Sequence, residues 1–162
     1  MSTENNDFFE HKKKIHIKNK KLEHYIEEID ARAKTQNAAL TPVRRAVLTL
    51  LFLHPQGLKA YELLEKIKEE RSNAKPTTVY RALDFLMAQG FAHKIGRNNL
   101  FVACHHVSHY LPSLFLVCPK CRTVTELSAI PLMQMLKTEV GNAGFQLTSP
   151  EVEISALCPA CA

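Results

Sequence analysis

The sequence predicts an α+β chain: an N-terminal winged helix-turn-helix followed by a small α/β dimerisation domain with a four-cysteine zinc site. Three observations carry that expectation. Two Cys-Pro-x-Cys pairs, Cys118-Pro119-Lys120-Cys121 and Cys158-Pro159-Ala160-Cys161, frame the last quarter of the chain. Upstream of them, segments with helical apolar spacing give way to two short extended runs. Charge is also divided: residues 1–100 carry 18 lysines and arginines against 12 acidic residues, and residues 101–162 carry 3 against 4. A basic first half suits a nucleic-acid reader joined to a different module.

Residues 1–21 are polar, with Lys12, Lys13, Lys14, Lys18, Lys20 and Lys21 close together, and read as a flexible basic arm that adds phosphate contacts. The winged-helix domain is placed at 22–103. Leu22, Ile26 and Ile29 start a helix that runs to about Asn37. Thr41-Pro42 then offers a cap and a first-turn proline, and Val43, Val47, Leu50 and Leu51 follow until Pro55-Gly57 stops the helix. A third helix covers about 59–71. The fourth opens at Pro76 or Thr77 and closes at Gly90, with Val79, Ala82, Leu83 and Leu86 on its core face. Thr77, Thr78, Tyr80 and Arg81 are left on the other side. Such a face suits the major groove, where arginine forks to guanine and tyrosine or threonine reaches phosphate or the thymine methyl. Phe91 to Ile95 and Leu100 to Cys104 complete the unit as a hairpin turned at Gly96-Arg97-Asn98-Asn99.

The second domain is placed at 104–162. Strands are expected at Ser113 to Val117 and Thr123 to Leu127, a helix at Pro131 to Ala143, and strands at Phe145 to Leu147 and Val152 to Leu157. Two-residue gaps let both sulfurs of each pair face one ion, so the four cysteines read as a closed structural zinc site. A dithiol redox motif or two disulfides fit less well, because the same frame occurs twice and no thioredoxin-like unit surrounds it. A unit of this size needs its zinc and a second copy of itself. Between the domains lie His93, Cys104, His105, His106 and His109, with Glu126 just past the first pair. Cys104 is surplus to the four-thiolate site, so this group reads as a second metal site. Thiolate with imidazole favours zinc over iron or manganese.

Several classes are excluded at this point. The chain shows no glycine-rich phosphate loop, no Ser-His-Asp cue and no paired catalytic carboxylates, so no enzyme and no small-molecule substrate is expected. The longest apolar run, Ala46 to Leu53, is too short to span a bilayer, and no signal peptide is recognisable. A cytoplasmic protein is expected.

The stretch Lys75-Pro76-Thr77-Thr78-Val79-Tyr80-Arg81-Ala82-Leu83-Asp84-Phe85-Leu86 resembles the ferric uptake regulator family. The resemblance extends to Leu40-Thr41-Pro42 with Arg44 nearby, to the step from Gly90-Phe91 into His93, and to both cysteine pairs. Phe91-Ala92-His93-Lys94-Ile95 and the pair Cys104-His105 are most similar to the zinc uptake regulator branch. The resemblance implies a homodimeric, metal-activated repressor of palindromic DNA operators, holding two zinc ions per protomer. It places structural zinc on Cys118, Cys121, Cys158 and Cys161. It places regulatory zinc on His93, Cys104, His109 and Glu126, with His106 the rival to His109. DNA contact falls on Tyr61 and Arg81, joined by Tyr80 and Arg44. The alternatives are an iron- or peroxide-sensing member of the family, which Cys104 disfavours, and a zinc-ribbon protein-interaction module.

Overall fold

The computed structural model describes residues 4–96, 99–105, 113–148 and 151–162. Four helices come first: α1 (Glu4–Thr35), α2 (Pro42–Leu53), α3 (Ala60–Glu70) and α4 (Pro76–Ala88). Helix α1 runs unbroken through most of residues 1–21, the stretch that the sequence reads as a basic arm. The reason is local. Residues 4–21 contain neither glycine nor proline, so nothing interrupts a helix that Ile26, Ile29 and Ala33 anchor in the core further along.

Glycine or asparagine in the left-handed region closes α1 and α4. Asn37 (φ 53°) lets the amide of Ala38 reach the carbonyl of Ala33 at 2.8 Å, and Gly90 (φ 64°) lets the amide of Phe91 reach that of Leu86 at 2.7 Å. Both are Schellman closures, and at α4 the accompanying apolar contact is present, because Phe91 and Leu86 are fully buried. The turn at Gly90 therefore aims the chain into the hairpin. Strands β1 (Ala92–Ile95) and β2 (Leu100–Ala103) pair antiparallel, with His93 opposite Val102. Of the hairpin turn, Arg97 and Asn98 lie outside the described residues.

All four residues of β2 are buried. Phe101 and Ala103 join the helical core made by Ile26, Val47, Leu48, Leu63, Val79 and their neighbours. Leu100 and Val102 point the other way, into a second cluster with Ile95 and Phe115. A strand buried on both faces is one shared by two layers. The second layer is a three-stranded sheet of β3 (Ser113–Val117), β4 (Val124–Ser128) and β5 (Glu151–Ser155), in the order β4-β3-β5. Strands β3 and β4 are antiparallel. Strands β3 and β5 are parallel, joined through α5 (Ile130–Asn142).

The expected strand at Phe145 to Leu147 does not form. Gly144 (φ 80°) and Phe145 instead give their amides to Gly141 and Val140, both at 2.9 Å. The donor that a strand would need at Phe145 is spent on ending α5.

Gly57 (φ 73°) stands where the loop after α2 crosses β2, and the adjacent Leu58 exchanges two hydrogen bonds with Phe101. A Cβ on Gly57 would lie 3.1 Å from both Leu100 and Val102. Left-handed backbone and close approach both oppose a side chain there. Gly57→Ala is expected to lower the unfolding free energy by about 1–3 kcal/mol, read as an earlier denaturant midpoint at unchanged slope. An unmoved midpoint would show that the crossing tolerates a methyl group.

Candidate metal centres and nucleic-acid surface

The two cysteine pairs hang from one end of the second sheet because β3 and β5 run side by side, with Val117 opposite Ser155. Cys118 follows β3 directly. Its carbonyl accepts the amide of Arg122 at 2.9 Å, with Arg122 turned to φ 63°. In the second pair, the carbonyl of Cys158 accepts the amides of Cys161 and Ala162 at 2.8 and 2.9 Å. Lys120 ties the two turns together by donating to the Cys161 carbonyl at 2.8 Å. None of the four cysteines is in a disulfide.

All four sulfurs lie within 4.8 Å of one another, and Cys121 and Cys158 are 3.6 Å apart. Zinc–sulfur bonds of about 2.3 Å in a tetrahedron put sulfurs about 3.8 Å apart, so the donor set and its spacing fit zinc. The thiols are polarised against one another. Backbone amides, that of Cys121 first and that of Cys158 next, draw Cys118 down to about 6, while the Cys158 and Cys121 thiols push Cys161 up to about 12. Four sulfurs at this distance cannot all be thiolates without a cation among them.

A second group forms where the hairpin meets the sheet. His93 of β1, Cys104 just after β2 and Glu126 of β4 bring one nitrogen, one sulfur and one carboxylate oxygen within 4.8 Å of each other. The His93 Nε2 atom is buried and 3.6 Å from Glu126 Oε1. A buried imidazole nitrogen facing a thiol and a carboxylate fits a metal ligand. Cys104 Sγ stands 3.9 Å from Glu126 Oε1, and Glu126 Oε2 accepts the amide of His105 at 3.1 Å. Burial would lower the pKa of His93, but hydrogen bonding to Cys104 and Glu151 outweighs it and raises the pKa to about 10. Electrostatically the pocket calls for a cation. His106 and His109 lie outside the described residues.

Two residues that the sequence did not flag serve this group. Glu151 Oε1 accepts from His93 Nδ1 at 2.6 Å. Tyr25 of α1 donates to the Cys104 carbonyl at 2.9 Å and stacks on Phe52, which in turn meets the His105 ring. A lone glutamate and a helical tyrosine carry no spacing signal. Only the alternation Glu151-Val152-Glu153 hints that one strand face is acidic.

On α4, Thr77, Thr78, Tyr80 and Arg81 are exposed while Val79, Ala82, Leu83 and Leu86 are buried, as the spacing requires. Tyr61 of α3, with Lys59 Nζ 5.9 Å from its ring centroid, and Tyr80 are 57% and 54% exposed. Arg44 is engaged internally: it donates to the Ala39 carbonyl at 2.7 Å and lies 3.4 Å over the Phe85 ring. Among the described residues, no helix is long and apolar enough to cross a membrane.

Comparison with known proteins agrees with this arrangement. Residues 35–155 match the ferric uptake regulator family. The zinc uptake regulation protein of Escherichia coli (strain K12) is 40% identical over 129 residues, covering 78% of this chain and 74% of that protein. Among solved structures, a zinc uptake regulator complexed with zinc and DNA superposes with a TM-score of 0.78 at 35% identity, covering 86% of this chain and 94% of that one. The holo form of XcZur gives 0.76 at 37% identity, covering 85% and 96%. Its apo form gives only 0.51 at 36% identity, covering 86% and 97%. The contrast comes from arrangement and not from sequence.

Cys121→Ser is expected to release the four-sulfur metal and unfold the second sheet, because two turns that share an ion derive their folding energy from it. Metal content and the melting curve check this together. A zinc-free C121S protein that melts like the parent would overturn the assignment.

Proposed function

The chain belongs to the ferric uptake regulator family, and on that premise we propose that it is a zinc-responsive repressor. In this reading it binds palindromic operators as a zinc-loaded homodimer and controls zinc-uptake genes. The observation that carries the reading is the convergence of His93, Cys104 and Glu126 from the hairpin, the segment after it and the second sheet. A thiolate in the set favours zinc, and disfavours the iron- or peroxide-sensing alternative. Each protomer would hold two ions, one on Cys118, Cys121, Cys158 and Cys161, the other on His93, Cys104, Glu126 and a histidine, His109 or its rival His106. Members of the family regulate transcription, and a site closed by four protein ligands has no open position for hydrolysis.

The winged-helix domain at 22–103 presents Tyr61, Thr77, Thr78, Tyr80, Arg81 and Arg44 to DNA. The domain at 104–162 pairs with a second copy. Exposed Leu132, Met135, Phe145, Ile154 and Leu157 supply apolar surface for that contact. Bound zinc supplies a cross-link between hairpin and sheet. His93 then holds the hairpin, Glu126 holds the sheet, and Cys104 holds the chain between them. Tyr25 passes the position of Cys104 to α1. The angle between the two layers sets the separation of the α4 helices in the dimer, which operator half-sites must match. The closer likeness to a holo than to an apo relative supports the view that this is the metal-loaded arrangement. By linkage, DNA tightens zinc as much as zinc tightens DNA, a coupling of about 1–3 kcal/mol.

Cys104→Ser is expected to leave a folded dimer with about one zinc per protomer, whose operator affinity no longer rises on adding zinc. A normal zinc-dependent rise in C104S would place the sensor elsewhere. Arg81→Ala is expected to weaken operator binding by about 1–3 kcal/mol and relax preference at one position per half-site. Specific binding that survives the change would remove α4 as the reader.

A further inference from the structure

Strand β5 reaches across to the hairpin with two carboxylates. Glu151 and Glu153 are two residues apart, so they share one face of the strand. Glu151 Oε1 lies 2.6 Å from His93 Nδ1. The Glu153 carboxylate accepts the backbone amide of Gly96, at the end of the same strand that carries His93. The two glutamates thus hold the hairpin at two points, His93 within β1 and Gly96 just past its end. Among the described residues β1 pairs in a sheet with β2 alone, so these contacts cross between sheets and are not part of either ladder.

The contact to His93 decides which ring nitrogen is available. A neutral imidazole has one N–H and one lone pair. A carboxylate at 2.6 Å accepts, so Nδ1 keeps its proton, and when an ion displaces the other proton the lone pair belongs to Nε2. Nε2 is the buried atom directed at the Cys104 and Glu126 group, 3.6 Å from Glu126 Oε1. The ring is further fixed by Phe115, whose centroid is 5.0 Å away.

We propose that Glu151 is a positioning residue of the zinc-sensing site. It holds His93 in the ring orientation and tautomer that present Nε2 to the ion, without itself being a ligand. Strand β5 thereby joins the two metal centres, since it starts at Glu151 and leads directly to Cys158. The inference rests on the reading of His93, Cys104 and Glu126 as the sensor.

The test uses the full-length protein with the four-cysteine site loaded, comparing the parent with Glu151→Ala, Glu151→Gln and His93→Ala. Zinc occupancy of the second site is followed by competition against a chelator of known affinity, and cobalt is used as a spectroscopic substitute that reports the Cys104 thiolate. E151A is expected to bind zinc about 10–100-fold more weakly, yet to give the parent's thiolate–cobalt absorption once saturated. E151Q, whose amide oxygen still accepts from Nδ1–H, is expected to recover most of the loss. An E151A affinity within about twofold of the parent would overturn the proposal. So would an E151Q protein as weak as E151A, which would mark a merely structural or purely electrostatic role. His93→Ala keeps the two failures apart: if it retains the second zinc, the sensor reading itself has failed, whatever Glu151 does.

Discussion

The double burial of β2 is the constraint on which the rest of the molecule depends. Phe101 and Ala103 complete the helical core, and Leu100 and Val102 complete the cluster against Phe115. The hairpin therefore belongs to both layers at once. A winged helix whose wing is solvated on one face could reorient at little cost. Here, separating the layers would expose Ile95, Leu100, Val102 and Phe115, of the order of 1.5–3 kcal/mol for each large side chain fully uncovered. The wing is the joint between the helical layer and the second sheet, and His93, Cys104 and Glu126 meet at that joint.

Electrostatics sharpen the same joint. Glu126, Glu151 and Glu153 all come from the second sheet and all meet the hairpin or the segment that follows it. Apolar contact gives the layers adhesion, and the carboxylates give them register. Adhesion alone would allow sliding of one surface over the other. A carboxylate on a backbone amide and another on an imidazole do not, because hydrogen bonds weaken steeply when misaligned.

How much of this could be read from the chain follows from the range of each signal. The helices were legible because Val79, Ala82, Leu83 and Leu86 repeat at local spacing, and both cysteine pairs because two-residue gaps have few uses. The metal group at the joint was legible only as a cluster of ligand types, since His93, Cys104 and Glu126 are brought together by packing across layers. Glu151 and Tyr25 were invisible for the same reason: their partners lie 58 and 79 residues away. Local causes decide the rest. A polar, lysine-rich composition reads as an arm, and the absence of any helix breaker there lets α1 continue. The apolar pair Phe145 and Leu147 suggested a strand where Gly144 had already committed the Phe145 amide to closing α5.

The parallel pairing of β3 with β5 also governs the order in which the molecule can assemble. Sulfurs from Cys118 and Cys158 become neighbours only after β5 has found β3, across a connection that includes all of β4 and α5. Closing a connection of that length before any contact rewards it is a slow, entropically opposed event, more so for a parallel pair than for a hairpin. The two cysteine pairs therefore come together late in folding. Until β5 has found its register on β3, the carboxylates it carries cannot reach the wing. One pairing event thus gathers the four sulfurs and delivers Glu151 to His93, so the two clusters are completed together and late.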